Sequence, residues 1–309
     1  MNEIEKNLRD AAKELLEKKD ADLIIGYEKG TEEFWMRPCF VDSMDDVDKL
    51  TFNAFCNINL SKYILEHKDK KVAVVLKGCD SKSIIALLQE KQVNRENVKI
   101  IGVPCYGVFD ESLIDKDINY DSKAEDNMKF LRKRCLVCEN HNPVIYDILV
   151  GDKLEEKVWR EDIYEEVEEI EKKPQKERLE FFTKVFSRCI RCLACRNICP
   201  VCFCKECLID KQNPLWVERK VGLSDILMLH LIRAVHITGR CIDCGNCEEV
   251  CPAKIPLRKI YKKIEKDVRE MFGYVPGKNI DLPPFHSTFS KDDKDEYLEG
   301  EKLGESSKV

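Results

Sequence analysis

Two short cysteine runs near the C-terminal end have the spacing needed to bind iron–sulfur clusters. The first run spans residues 189–200 and reads CIRCLACRNICP, and the second spans residues 241–252 and reads CIDCGNCEEVCP. Both follow the pattern C-x2-C-x2-C-x3-C-P, in which three thiolates bind one cluster and the fourth cysteine ligates the cluster of the other run. The proline after each run cannot continue a helix and turns the chain away from the cluster.

This pattern predicts two [4Fe–4S] clusters with exchanged fourth ligands. The ligands predicted for cluster 1 are Cys189, Cys192, Cys195 and Cys251. The ligands predicted for cluster 2 are Cys241, Cys244, Cys247 and Cys199. The alternatives are a disulfide scaffold and paired zinc ribbons. A zinc site uses four ligands in two pairs and leaves no role for the third closely spaced cysteine.

A further set of cysteines lies upstream of the two runs. Cys79 follows a strand-like segment in KGCDSKS, and Cys105 follows the next one in GVPCYG. The carboxyl ends of parallel strands meet at one rim of a sheet, so these two thiols are expected to lie close together. Cys135 and Cys138 form a CxxC pair that can fold back over this rim. The four thiols suffice for a third cluster, whereas the alternative is a zinc or redox CxxC with two packing cysteines.

Four other cysteines are secondary candidates for the same chemistry. Cys56 is a fifth participant at the third cluster, as a substitute ligand or a near neighbour. Cys202, Cys204 and Cys207 follow the first run directly in VCFCKEC. Either they bind a further metal, or they line cluster 1 and donate hydrogen bonds that tune its potential.

The strand end near Lys77 is the weak candidate for a flavin or phosphate site. Lys77, Gly78 and Asp80 form a turn around Cys79 that could receive a phosphate or a flavin. The sequence has no G-x-G-x-x-G fingerprint that would support a dinucleotide site. His230 and His236 are six residues apart on one predicted helix and are interpreted as satisfied polar residues rather than ligands. No pattern of catalytic acid–base or nucleophilic side chains stands out.

The N-terminal half alternates strand and helix patterns. The predicted strands are 22–28, 71–78 and 98–104, and the predicted helical segments between them are 60–67 and 81–92. Continuous β-branched runs that alternate with amphipathic helices predict a small parallel or mixed sheet in an α/β domain, residues 1–150.

The C-terminal half has helical patterns around the cysteine runs. A helical connector is predicted for residues 151–184, with Pro174 dividing two helices. An all-α dicluster ferredoxin domain is predicted for 185–273, with helices over 223–239 and 255–273. Ser224 or Asp225 is expected to cap the first of these helices, and Gly273 to end the second. Residues 274–309 are predicted to form an extended or disordered tail.

Composition excludes several classes of protein. The chain has 309 residues, 17 cysteines and a formal net charge of −6, with basic and acidic residues interspersed rather than gathered in blocks. This distribution argues against nucleic acid as a partner. The N-terminal segment lacks the apolar stretch of a signal peptide, and no apolar run is long enough to span a membrane. The cysteines are therefore expected to serve metal in a reducing, cytoplasmic compartment.

Several motifs resemble known redox proteins. KGCDSKSI, IIGVPC and RCLVCENHNP resemble the beta subunits of the coenzyme F420 hydrogenase/dehydrogenase family, which are iron–sulfur flavoproteins of anaerobic archaea and bacteria. RCIDCGNCEEVCP and the long helical insertion before it resemble the helical dicluster ferredoxin module of heterodisulfide reductases. The resemblance implies ligand roles for the four upstream cysteines. It also implies partner subunits of hydrogenase, formate dehydrogenase or heterodisulfide-reductase type.

Two functional hypotheses follow from the residues and the resemblance. The first is an electron-transfer subunit of an anaerobic oxidoreductase complex, in which no side chain performs acid–base catalysis. The alternative is a flavin-dependent oxidoreductase subunit that binds FAD and itself reduces or oxidises coenzyme F420, NAD(P) or ferredoxin. A weaker hypothesis is a scaffold whose clusters only stabilise the fold.

Overall fold

The N-terminal half contains a five-stranded mixed sheet. The computed structural model describes residues 3–114, 124–160 and 162–287. The strands are β1 (Leu23–Lys29), β2 (Met36–Val41), β3 (Val72–Leu76), β4 (Val98–Gly102) and β5 (Ile148–Leu149). They are arranged in the order β2-β1-β3-β4-β5, with β1 and β2 antiparallel and the other neighbours parallel. The predicted N-terminal α/β region is thus confirmed.

Helices occur on both sides of the chain's midpoint. The α-helices are α1 (Glu3–Glu17), α2 (Gly78–Gln89), α3 (Lys133–Leu136), α4 (Glu165–Glu171), α5 (Gln175–Phe186), α6 (Ala194–Asn197), α7 (Leu223–His236), α8 (Asn246–Glu249) and α9 (Arg258–Phe272). Short 3-10 segments are Met44–Lys49, Leu60–Glu66, Arg95–Asn97, Glu111–Leu113, Ala124–Phe130, Leu208–Asp210 and Phe285–Ser287. In the described residues, no helix is both long and apolar enough to cross a membrane.

The sheet forms the first hydrophobic core. All five residues of β3 are buried, as expected for a central strand covered on both faces. Helix α1 adds Leu8 and Leu15 to this core, and α2 adds Ile84. The three predicted strands correspond to β1, β3 and β4.

The sequence did not predict the strands β2 and β5, the helix α1, or the short helices α3, α6 and α8. β2 is a half-exposed edge strand containing Pro38, whose missing N–H is tolerated only at a sheet edge or bulge. β5 has only two residues, and α1 precedes the first predicted element. The segment predicted as helix over 60–67 forms a 3-10 helix, whose start is fixed by the Asn59 side chain accepting the Ser61 N–H at 3.0 Å.

The helical C-terminal region is confirmed in outline. Pro174 separates α4 from α5 as predicted, and Gly273 ends α9 in the left-handed conformation with φ of 62°. The predicted cap of α7 is wrong, because Gly222 occupies the N-cap and the Asp225 carboxylate accepts the Glu218 N–H at 3.1 Å instead.

Residues 274–287 form turns and the 3-10 segment Phe285–Ser287, and they pack on the helices. The ring of Phe285 lies 5.1 Å from that of Phe272, and Gly277 contacts the backbone of Lys82. The remainder of the predicted tail, residues 288–309, lies outside the described residues.

Candidate iron–sulfur centres

The two C-terminal cysteine runs adopt the same backbone conformation. In the first run, Arg191 and Leu193 have φ of 53° and 60°, and they flank Cys192. In the second run, Asp243 and Gly245 have φ of 58° and 75° at the equivalent positions. A short helix follows each pair, α6 in the first run and α8 in the second. Left-handed backbone at non-glycine residues costs about 1 kcal/mol or more, so its repetition marks a curl that both loops need.

The first cavity, called cavity 1, is bounded by both runs. Its cysteines are Cys189, Cys192, Cys195 and Cys251. The backbone N–H of Arg191 donates to the Sγ of Cys189 at 3.4 Å, and that of Ile255 donates to the Sγ of Cys251 at 3.4 Å. Such N–H···S bonds stabilise thiolates that ligate a cluster and tune its potential. Cys192 is exposed, so cavity 1 lies near the surface.

Cavity 2 has the complementary set of cysteines and is more deeply buried. Its cysteines are Cys241, Cys244, Cys247 and Cys199. Burial raises the pKa of Cys241 to about 12, and it raises the pKa of Cys244 and Cys247 further. A bound metal centre supplies the positive charge that would stabilise these thiolates in a buried site.

Cavity 3 lies at the carboxyl ends of β3 and β4. Its four upstream cysteines are Cys79, Cys105, Cys135 and Cys138. The backbone N–H of Gly107 donates to the Sγ of Cys105, and that of Val108 donates to the Sγ of Cys135, each at 3.3 Å. Burial raises the pKa of both Cys105 and Cys138 to about 12.

The CxxC loop folds back over the sheet rim as predicted, and Gly78 permits this. A Cβ on Gly78 would lie 2.0 Å from the carbonyl oxygen of Asn140. The Cys105 N–H donates to the carbonyl of His141 at 2.8 Å, and the His141 Nδ1 lies 2.9 Å from the carbonyl of Cys105. Only a residue without a side chain allows the loop to approach the strand end this closely.

The three cavities fit a cluster better than a single metal ion. Their volumes are similar, about 380, 380 and 350 Å³ for cavities 1, 2 and 3. Among the described residues, no group of three or more His, Cys, Asp or Glu side chains is placed to hold one metal ion. A zinc ion would draw four sulfur atoms to about 2.3 Å from one point, whereas an iron–sulfur cluster spaces its thiolates around a larger body.

Cys56 and the VCFCKEC cysteines are not placed as predicted. Cys56 is buried beside Asn53, whose N–H donates to its Sγ at 3.4 Å, and Cys56 does not line cavity 3. Neither do the VCFCKEC cysteines line cavity 1. They line a separate open cavity of about 1460 Å³, whose cysteines are Cys202, Cys204 and Cys207.

Cys202 contacts a predicted ligand of cluster 2 rather than cluster 1. The Cys202 thiol donates a hydrogen bond to Cys199 and lowers the pKa of Cys199, against the opposing effect of burial. The second-sphere role predicted for this cysteine is therefore directed to the other cavity. The spacing of VCFCKEC carries no signal that would have indicated this.

The Lys77 turn is closed by protein contacts. The Lys77 Nζ lies 2.6 Å from the Asp80 Oδ2 and donates to the Tyr27 hydroxyl at 2.7 Å. Lys77 and Asp80 are 2% and 1% exposed, and Asn140 covers Gly78. The prediction of a phosphate or flavin site at this turn is wrong, because its cation is already paired and its backbone is already covered.

The structure also joins the second cysteine run to the N-terminal half. Cys244 lines cavity 3 as well as cavity 2. Beside it, the Asn59 N–H donates to the Asn246 side-chain oxygen at 2.9 Å, and the Asn246 amide donates to the Asn59 carbonyl at 3.4 Å. Arg134 forms an ion pair with Glu249. These contacts bring two predicted cluster sites together, and no local sequence pattern indicates them.

Comparisons with known proteins agree with this geometry. Residues 185–255 match the family described as the 4Fe-4S dicluster domain. The F420-dependent formate dehydrogenase subunit beta of Methanocaldococcus jannaschii is 28% identical over 349 aligned positions, covering 88% of this chain and 91% of the relative. The F420-dependent formate dehydrogenase 1 subunit beta of Methanococcus maripaludis is 24% identical, covering 88% of this chain and 90% of the relative.

A solved structure shows a weaker likeness. It is the xenon-derivatised F420-reducing [NiFe] hydrogenase complex of Methanosarcina barkeri, 16% identical, with a TM-score of 0.34 over 45% of this chain and 62% of that chain. Over 88% of its length, the chain is similar to the beta subunits of F420-dependent formate dehydrogenases, and its residues 185–255 match the 4Fe-4S dicluster domain.

Proposed function

We propose that this chain is an electron-transfer subunit of an oxidoreductase complex and holds three [4Fe–4S] clusters in a row. The observation that carries the proposal is the set of three cavities, each lined by four predicted ligand cysteines, with Cys244 of cavity 2 lining cavity 3 as a fifth. When bound, the clusters accept and donate single electrons. The protein's own residues supply thiolates, donate backbone N–H groups to sulfur and exclude water.

The arrangement of the cavities supports a relay with cluster 2 in the centre. Cys244 lines cavities 2 and 3, so one predicted ligand connects those two centres. Arg233 lines cavity 2 and donates to the carbonyl of Cys195, a predicted ligand of cluster 1, at 2.8 Å. The rate of electron transfer falls steeply with distance, so these contacts favour transfer in the order cluster 3, cluster 2, cluster 1 or the reverse.

Cavity 1 is the end of the relay that faces outward. Cys192 is exposed, and the neighbouring Ile190 is 60% exposed. An exposed apolar residue beside a predicted cluster suits contact with another protein of the complex. We assign this end to a hydrogenase, formate dehydrogenase or heterodisulfide-reductase-like partner, or to ferredoxin, in a reducing cytoplasmic compartment.

A second candidate function is that of a flavin-dependent subunit acting on coenzyme F420, NAD(P) or ferredoxin. It is favoured by the open cavity, which shares Val201, Arg233 and Ile237 with cavity 2 and also has Lys62 and Lys205 in its lining. An open cavity with basic side chains in its lining can receive an anionic cofactor such as FAD. Both relatives are named F420-dependent, which supports coenzyme F420 as the substrate of this second candidate function.

The test is a cofactor inventory on anaerobically purified protein. Three clusters predict about twelve irons with matching acid-labile sulfide, and two predict about eight. A stoichiometric flavin would favour the second candidate over a pure relay. If clusters are present but cannot be reduced at physiological potentials in electron paramagnetic resonance (EPR) titrations, the scaffold hypothesis replaces both.

A matched pair of cysteine variants tests cavity 3 directly. Cys135→Ser is expected to lower the iron content by about four atoms, because it removes a predicted ligand of the third cluster. Cys56→Ser is the control, since Cys56 is equally buried but lines no cluster cavity. Full iron content in the Cys135→Ser variant would contradict the third cluster.

A further inference from the structure

Arg233 is a buried cation at the centre of the predicted relay. It lies on α7, is 5% exposed and lines cavity 2. Its guanidinium donates to the carbonyl of Cys195 at 2.8 Å and to the hydroxyl of Tyr261 at 2.6 Å. Its Nε is buried and has no hydrogen-bond partner among the described residues. The side chain is thus anchored at two points while its charge is not neutralised.

The other buried cations that line cavities 2 and 3 are paired with carboxylates. Lys77 pairs with Asp80 at 2.6 Å, Arg134 pairs with Glu249, and Arg258 pairs with Asp243 at 2.6 Å. Within ranges 3–114, 124–160 and 162–287, Arg233 has no carboxylate within ion-pair distance. Burying a charge without a counter-charge is costly, so the fold must place a negative group beside it.

The predicted cluster of cavity 2 provides that negative group. An oxidised [4Fe–4S] cluster with four thiolates is an anion, and one-electron reduction adds a further negative charge. A fixed cation in a water-poor site stabilises the reduced form more than the oxidised form, because the Coulomb energy grows with the charge of the cluster.

We propose that Arg233 is the counter-ion of cluster 2 and raises its reduction potential above that of cluster 1. This inference rests on the proposed function, because it requires both clusters. The step it affects is the transfer of one electron onto cluster 2, supplied by a neighbouring cluster that is oxidised in return. Arg233 is a positioning residue, since no bond to it forms or breaks.

Cavity 1 provides a matched comparison. Arg191 lines cavity 1 but is only partly buried, and its guanidinium donates to the carbonyl of Lys220 at 3.0 Å. Water and salt screen a charge in that position far more than a charge in the interior. Among the described residues, each of the two cavities thus has in its lining an arginine without a carboxylate partner. Water and salt screen the charge of Arg191 but not that of Arg233.

The experiment is an EPR-monitored redox titration of full-length protein with reconstituted clusters. Arg233→Met is expected to lower the equilibrium constant for reduction of cluster 2 at least tenfold, which is about 59 mV for a one-electron couple. Arg233→Lys keeps the positive charge and is expected to change the equilibrium constant for reduction of cluster 2 less than threefold. Arg191→Met is the control and is expected to change cluster 1 less than threefold.

Iron content separates failure of this inference from failure of the proposed function. If the unaltered protein binds no clusters, the proposed function fails. If iron is retained and Arg233→Met leaves every potential within twofold, Arg233 is not the counter-ion. If the Arg233→Met variant loses iron, the Arg233→Lys variant is the test instead. A tenfold change in the equilibrium constant for reduction of cluster 2 in that variant would overturn the inference.

The unaltered protein gives a reading that depends on no Arg233 variant. Cys192→Ser alters a predicted ligand of cluster 1 and identifies the signal of that cluster. In the unaltered protein, the EPR signal of reduced cluster 2 is expected to appear at a higher potential than the signal of reduced cluster 1. The reverse order would refute the inference even if every Arg233 variant failed to fold.

Discussion

Gly78→Ala tests whether the CxxC loop must lie directly on the end of β3. The added Cβ would lie 2.0 Å from the Asn140 oxygen and 2.8 Å from both the Asn140 carbonyl carbon and the Asn142 oxygen. All three are backbone atoms, so no flexible side chain can move aside. Relief to the shortest tolerated separation of 3.0 Å requires the loop to move by about 1 Å.

This displacement acts directly on cavity 3. The Cys138 Sγ donates to the same Asn140 carbonyl at 3.5 Å, and the adjacent His141 carbonyl accepts the Cys105 N–H. We expect Gly78→Ala to lower the free energy of unfolding by about 1–3 kcal/mol, as overpacking does, and to remove about four irons. The assay is iron and sulfide content combined with urea unfolding under anaerobic conditions.

Gly273→Ala is the matched control. Gly273 has φ of 62°, but a Cβ there would meet nothing within 4 Å. Its substitution is expected to cost about 1 kcal/mol of backbone strain and to leave the iron content unchanged. If Gly78→Ala also kept its full iron content, the loop would not need this close approach, and the account of cavity 3 would be refuted.

Two further predictions concern residues beside cavities 2 and 3. Arg134→Gln should destabilise the protein by about 1–3 kcal/mol in thermal or urea unfolding, because Glu249 loses one of its two arginine partners and keeps Arg132 and the Asn57 amide. Adding Glu249→Gln should recover part of this loss, and a double variant no more stable than Arg134→Gln would contradict the pairing. Cys202→Ala should keep the iron but lower the potential of cluster 2, because the thiol no longer donates to Cys199. An unchanged potential in redox titration would exclude that role.

The grouping of the cysteines around the three cavities was largely predictable because it depends on local chain geometry. A fixed spacing with a left-handed residue on each side of the second cysteine curls each run in the same way, as at Arg191 and Leu193. The approach of Cys79 and Cys105 was predictable for a similar reason, since consecutive parallel strands end at one rim.

The features that sequence reasoning missed depend on contacts between distant segments. The Lys77 turn looks open in the sequence, but its cation is paired and a loop about sixty residues away covers Gly78. Cys244 is one of three similar cysteines in its run, and only the packing of that run on the N-terminal half directs it to cavity 3. Arg233 reads as an ordinary residue of an amphipathic helix, and its burial follows from the tertiary packing of α7.

The exchange of fourth ligands has a consequence for how the protein is made. On the predicted ligand sets, cluster 1 needs Cys251 and cluster 2 needs Cys199, so neither can be completed before synthesis has passed the second run. Iron inserted earlier would find three predicted ligands of cluster 1 but not the fourth, Cys251. Once both clusters are in place, they close two nested loops of the chain, because the link from Cys199 to the second run lies inside the link from the first run to Cys251. Maturation of the two centres is therefore a late and mutually dependent event, and loss of one cluster loosens the ligand loop of the other.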